Sequence, residues 1–312
     1  MACSSPLKGF VVGKTESGKD KLRICSFHTA YVESGFKRIY DYKLIPCGRC
    51  VGCKLNYARE WSIRCCLEAS FYDSNYFLTL TYDDNNNPHN LIKDDLRNFI
   101  KKLRTYLSRA GKPEIRFFAC GEYGSQTLRP HFHLIVFNLV LDDLKYLKRS
   151  KTGYDLYESK FLTNIWSKGF VQVGECTIKT ASYVARYCLK GINHSDISDY
   201  GFNKEFVLMS RRPGIGYGYF DLYKNNIYDT DKIYFSFGDF NSCSPPKYFD
   251  NLMSNLDPEI ISQIKDIRRF KADMVFNLSY LKSGIYDELE YKKMVNDDKE
   301  KKINILRYRD YV

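Results

Sequence analysis

The stretch Arg129-Pro130-His131-Phe132-His133-Leu134-Ile135-Val136-Phe137 decides the fold, read together with Ile115–Cys120 and Gly121-Glu122-Tyr123-Gly124 just before it. Both are apolar runs of strand length, and only a turn-rich connection separates them. Two consecutive strands with no helix between them pair antiparallel. That excludes a doubly wound parallel sheet and predicts an α+β fold. Side chains two apart on a strand share a face, so His131 and His133 point the same way, about 6–7 Å apart. Pairing back through residues 123–130 brings Glu122 beside His131. One carboxylate and two imidazoles suit Mg²⁺ or Mn²⁺, with positions left for water and a phosphate oxygen. Two satisfied sheet histidines beside a solvated strand end are the plainer alternative.

Alternating helices and strands continue on both sides. Upstream, Tyr76-Phe77-Leu78-Thr79-Leu80-Thr81-Tyr82 reads as a strand ended by Asp83–Pro88. Asp94–Ala110 is an amphipathic helix with Leu96, Phe99, Ile100, Leu103 and Leu107 on one side, stopped by Gly111 and Pro113. Downstream, Ser159–Trp166 reads as helix, Gly169–Gly174 as a short strand, and Thr180–Leu189 as a helix closed by Gly191. In that last helix Tyr183 and Tyr187 are i and i+4 neighbours, and Arg186 and Lys190 keep the segment basic. A phenol is a poor nucleophile at its normal pKa, yet it can attack a metal-polarised phosphodiester. An aromatic stripe packed on the sheet is the alternative.

The first region, residues 1–72, is cysteine-rich and basic. Its centre is Pro46-Cys47-Gly48-Arg49-Cys50-Val51-Gly52-Cys53, followed by a helical pattern over Lys54–Tyr72. Thiolates at Cys47, Cys50 and Cys53 suit Zn²⁺ or an iron–sulfur cluster, although the fourth Cys followed by Pro of ferredoxins is missing. A fourth zinc ligand is sought in Cys65, Cys66 or the Cys25-x2-His28 pair. Reduced thiols in a tight turn are the alternative. Gly13-Lys14-Thr15-Glu16-Ser17-Gly18-Lys19-Asp20 imitates a P-loop, but Asp20 stands where a Ser or Thr would hold Mg²⁺, so a nucleotide site is rejected. Residues 73–195 form the second region. Residues 196–312 form the third, mainly helical, with a turn at Gly214–Gly218, a helix over Asp257–Lys271 and a charged helical tail from 284.

Composition sets outer limits. The 312 residues are 44% hydrophobic and 16% aromatic, which excludes disorder throughout. The net charge of +11 favours a polyanionic partner. The longest apolar run, around Leu134–Leu141, falls far short of the roughly 20 residues of a membrane span. Met1–Lys8 carries no apolar signal region, so a cytoplasmic location is expected and the 11 cysteines are expected reduced or metal-bound.

The ordered set of apolar strand, helix, Glu-bearing strand, His-x-His strand and Tyr-x3-Tyr helix resembles the HUH endonuclease superfamily of rolling-circle initiators and relaxases. The run Phe77–Thr81 is similar to that family's first motif. The resemblance narrows to the replication initiators of the microviruses, in particular their gokushovirus branch. It is carried by Pro46–Lys54, Cys120–Gly124, Arg129–His133, Tyr183-Val184-Ala185-Arg186-Tyr187 and Ser210-Arg211-Arg212-Pro213-Gly214-Ile215-Gly216. It implies an antiparallel central sheet flanked by helices. Metal ligation passes to Glu122, His131 and His133, and nucleophile roles pass to Tyr183 and Tyr187.

The activity it implies is nicking and rejoining of single-stranded or nicked supercoiled origin DNA through a 5′-phosphotyrosine. Arg186, Lys190, Arg211 and Arg212 are expected to hold the DNA backbone. A host helicase and polymerase would be partners in the bacterial cytoplasm, with no membrane involved. Two other classes stay open on the residues alone: a non-catalytic zinc-containing nucleic-acid-binding protein, and a metal-dependent hydrolase that uses water.

Overall fold

The computed structural model describes residues 3, 5–16, 20–124, 127–150, 153–177, 180, 181, 184, 201–237, 240–288, 290–295, 297, 298 and 301. Two compact units divide the chain, one formed by Met1–Asn56 with Arg269–Val312 and the other by Tyr57–Arg268.

The larger unit is built on a seven-stranded, wholly antiparallel sheet. Its strands are β6 (Asn75–Tyr82), β7 (Arg116–Tyr123), β8 (Pro130–Phe137), β9 (Leu144–Arg149), β10 (Asp155–Ser159), β11 (Gly169–Glu175) and β12 (Phe206–Met209). Their order across the sheet is β12-β7-β8-β6-β11-β10-β9. The expected α+β class and the antiparallel hairpin are both present. The apolar runs take the middle because β7 and β8 are buried on both faces, whereas the lysine-rich β9 is exposed at an edge.

Strand alternation sends the two halves of each run to opposite faces. One face carries Phe132, Leu134 and Val136, packed with Leu78, Leu80 and Ala119 under helix α2 (Lys93–Arg109) and helix α3 (Lys160–Trp166). All five apolar residues expected on the inner side of α2 are buried. Ser159 caps α3, its hydroxyl accepting from the Leu162 amide at 3.1 Å. Gly169 is required where β11 meets β6: φ is +144°, and a Cβ there would lie 2.3 Å from the Thr81 carbonyl oxygen.

The other face carries Phe118, Cys120, Ile135 and Phe137. Against them pack Ala58, Trp61, Cys65, Cys66 and Ala69 of helix α1 (Val51–Ala69), together with Ala181, Val184 and Ile215. A third cluster joins Ile63 and Leu67 to helix α4 (Tyr217–Thr230), helix α5 (Lys247–Leu256), and Ile261 of helix α6 (Pro258–Ser283). The buried Glu68 carboxylate ties this region to the sheet, accepting from Arg116 of β7 and, at 2.6 Å, from the Gly216 amide.

In the smaller unit, β1 (Leu7–Lys14), β2 (Asp20–Cys25) and β5 (Tyr42–Ile45) form an antiparallel sheet in the order β2-β1-β5, beside the pair β3 (Val32–Ser34) and β4 (Lys37–Ile39). The P-loop-like stretch therefore joins two antiparallel strands rather than leading into a helix. Asp20 pairs there with Lys14 at 2.5 Å and with Lys43, and those contacts hold its carboxyl down at about 2. A last hairpin, β13 (Ile233–Phe237) with β14 (Phe240–Cys243), belongs to the larger unit. Among the described residues, no helix is long and apolar enough to cross a membrane.

Candidate metal centre

Register places the candidate ligands. Across β7 and β8, Glu122 stands opposite His131, and Cys120 opposite His133. Paired residues of an antiparallel ladder point to the same side, so the carboxylate and both imidazoles share the sheet face of Phe118, Cys120 and Ile135. The three ligand atoms lie within 4.8 Å of one another.

Both imidazoles aim their Nε2 at a single carboxylate oxygen. His131 Nε2 lies 2.8 Å from Glu122 Oε1, and His133 Nε2 lies 3.1 Å from the same atom. Each ring is oriented through its other nitrogen. His131 Nδ1 lies 3.1 Å from the Arg129 carbonyl oxygen, and His133 Nδ1 lies 3.1 Å from Thr79 Oγ1 on β6. Phe77 stacks on the His133 ring with centroids 5.5 Å apart and planes 12° from parallel.

This arrangement calls for a cation. A carbonyl oxygen only accepts, so His131 Nδ1 must donate to Arg129. A neutral His131 then presents an Nε2 lone pair to a carboxylate oxygen at 2.8 Å, which repels unless a proton or a metal ion lies between them. Octahedral ions bound at about 2.1 Å hold neighbouring donors about 3.0 Å apart, and 2.8 and 3.1 Å match that spacing. Glu122 Oε2 is buried without a hydrogen-bond partner, a second acceptor ready for a ligand. Burial raises the Glu122 pKa, but hydrogen bonds and charge from His131 and His133 outweigh it and hold the carboxyl at about 2, so the site is anionic at neutral pH. The residues fit a divalent ion of the Mg²⁺ or Mn²⁺ type.

The other expected residues are placed as follows. Tyr183, Tyr187, Arg186 and Lys190 lie outside the described residues. Flanking positions are described: Thr180, Ala181 and Val184 are helical, and Ala181 and Val184 are buried on the metal-facing side of the sheet. Arg211 and Arg212 are exposed in the turn after β12. Cys47, Cys50 and Cys53 come together as expected. Their fourth neighbour, however, is Cys3, not Cys65, Cys66 or the Cys25–His28 pair. Cys65 and Cys66 are apolar packing residues of α1. Cys3 had no local signal because 43 residues intervene before Cys47. Thr79 and Arg129 were also missed as partners of the histidines, since neither register nor a backbone carbonyl can be read from residue type.

Comparison with known proteins agrees with this centre. The family model of replication-associated protein ORF2 matches residues 75–192, which span β6 to the Tyr-x3-Tyr stretch. Replication-associated protein ORF2 of Spiroplasma virus 4 is 34% identical over 273 residues, covering 84% of this chain and 83% of that protein. Replication-associated protein VP4 of Bdellovibrio phage phiMH2K is 34% identical over 220 residues, 69% of each. Replication-associated protein ORF4 of Chlamydia phage 1 is 27% identical over 247 residues, 77% of this chain and 61% of that protein. No solved structure matches the chain. The class defined by fold and site is thus a phage replication protein. Within it, the chain belongs to the replication-associated proteins of the microviruses.

Proposed function

We propose that this protein nicks and rejoins its phage's replication origin by tyrosine transesterification, starting and ending rolling-circle replication. The observation that carries the reading is the Glu122 carboxylate facing two imidazole Nε2 atoms, with its other oxygen buried and unpartnered. Glu122, His131 and His133 hold a divalent ion that, when bound, supplies Lewis-acid polarisation of the scissile phosphate.

Tyr183 or Tyr187 attacks phosphorus through its phenolic oxygen. The P–O3′ bond breaks, a 5′-phosphotyrosine forms, and the phenol's proton is delivered to the leaving 3′-oxygen. The free 3′-OH primes synthesis, and the phosphodiester energy is kept in the covalent link, so rejoining needs no ATP. After one round the second tyrosine cleaves the regenerated junction, and the new 3′-OH displaces the first tyrosine to close the circle. Ala181 and Val184 support this assignment, because they anchor the Tyr-bearing segment on the sheet face that Glu122, His131 and His133 share. Exposed Arg211 and Arg212, with Arg186 and Lys190, hold the DNA backbone. A host helicase and polymerase in the bacterial cytoplasm complete the cycle.

The test is incubation of labelled single-stranded origin DNA with the protein and Mn²⁺, followed by a denaturing protein gel. A labelled protein band is expected, retained or reduced in Tyr183→Phe and in Tyr187→Phe, and absent in the double variant. Cleavage without a covalent band would assign the attack to water and overturn the tyrosine mechanism.

A further inference from the structure

We infer that Cys3, Cys47, Cys50 and Cys53 form a four-thiolate Zn²⁺ site that ties the beginning of the chain to the start of α1. Three of these residues come from one loop and the fourth from far upstream, yet all four Sγ atoms lie within 4.8 Å of one another. Zinc bonded to four sulfurs at about 2.3 Å holds them about 3.8 Å apart. The Cys50 and Cys3 sulfurs are separated by 3.8 Å. Four sulfurs this close surround one ion; the thiolates of a multi-iron cluster stand farther apart.

The backbone is arranged for thiolates. The Cys50 amide donates to Cys47 Sγ at 3.3 Å, and the Cys47 amide donates to Cys3 Sγ at 3.3 Å. The first of these is a bond within the Cys-x2-Cys turn, whose Gly48 takes φ of +73°. The Cys50 carbonyl accepts the first helical bond, from the Lys54 amide at 3.0 Å, which places Cys50 at the N-cap and Cys53 in the first turn of α1. That turn has no acidic side chain, so thiolates supply the negative charge that a helix N-terminus favours.

A structural clip is what this unit needs. Among its described residues, the buried apolar side chains apart from Pro6 are Phe10, Val32 and Tyr291, too few to order some 50 residues by apolar burial alone. Zn²⁺ binding, with release of the thiol protons to solvent, joins residues 3 and 47–53 without a large core.

The site is separate from Glu122, His131 and His133 and does not depend on the nicking reaction. Its test is Co²⁺ titration of the full-length protein under anaerobic, reducing conditions. Four sulfurs on Co²⁺ give strong sulfur-to-metal charge transfer and intense tetrahedral visible bands, and one equivalent of Zn²⁺ should abolish both. A carboxylate–imidazole site gives no such charge transfer. Cys3→Ser is expected to lose about a quarter of the charge-transfer intensity, while Cys65→Ser, outside the cluster, retains all of it. Three observations would each overturn the proposal: no charge transfer in the unmodified protein, undiminished intensity in Cys3→Ser, or iron–sulfur absorption in protein as isolated. The unmodified protein alone decides the first and third, so a variant that fails to fold does not blunt the test.

Discussion

Each histidine of the metal centre is held by its second nitrogen, His131 by a backbone carbonyl and His133 by the Thr79 hydroxyl. Such outer partners fix ring orientation and the tautomer that leaves Nε2 free for a metal, and removing one typically weakens metal affinity about 10–100-fold. Thr79→Val keeps the shape and β-branching of the side chain but deletes the hydroxyl. Its affinity for Mn²⁺, measured by titration calorimetry, is therefore expected to fall about 10-fold or more, with the circular dichroism spectrum unchanged. Unchanged affinity would show that Phe77 stacking alone orients His133. The candidate ligands themselves were legible in the sequence, because a strand's two-residue period puts His131 and His133 on one face. Thr79 was not, because its pairing with His133 depends on how β6 is aligned against β8.

Among the elements, α2 was the most legible. Its apolar residues recur at helical spacing, Asp94 and Asp95 sit in its first turn, and Gly111 follows its end. Leu103 is fully buried between α2 and the sheet, so Leu103→Ala is expected to cost about 2–5 kcal/mol of stability, read from urea unfolding. A loss below about 1 kcal/mol would mean that α2 repacks. Helix α1 was read from Lys54 but begins at Val51. Its start lacks the usual Ser, Thr, Asp or Asn cap, and a cysteine occupies that position instead. Strands β9 and β10 were not read, since an exposed edge strand such as Leu-Lys-Tyr-Leu-Lys-Arg (144–149) need not show the alternation of a buried face.

For the whole molecule, the packing of α1 and its neighbours sets an alkaline limit. Burial pushes the Cys66 and Cys176 thiols from 9.0 up to about 12, and the Cys243 thiol to about 11. Unfolded thiols ionise near 9 while these folded ones stay protonated. The stability that this burial contributes is thus complete below pH 9 and is lost as pH rises toward 11–12. The urea midpoint of the larger unit is expected to fall between about pH 8 and about pH 10.5; an unchanged midpoint would show these thiols to be solvent-accessible.

The amino-acid sequence by itself determined the α+β class, the antiparallel β7–β8 pair, the inner face of α2 and the meeting of Glu122 with His131 and His133. All of these follow from side-chain periodicity and short connections, which act over a few residues. Only the tertiary structure decided that β12 joins the sheet beside β7, that Thr79 holds His133, and that Cys3 completes the cysteine group. Those contacts join residues 44 to 91 positions apart, from Cys3 with Cys47 to Phe118 with Met209. Their partners are chosen by how whole elements pack and align, which no local pattern encodes.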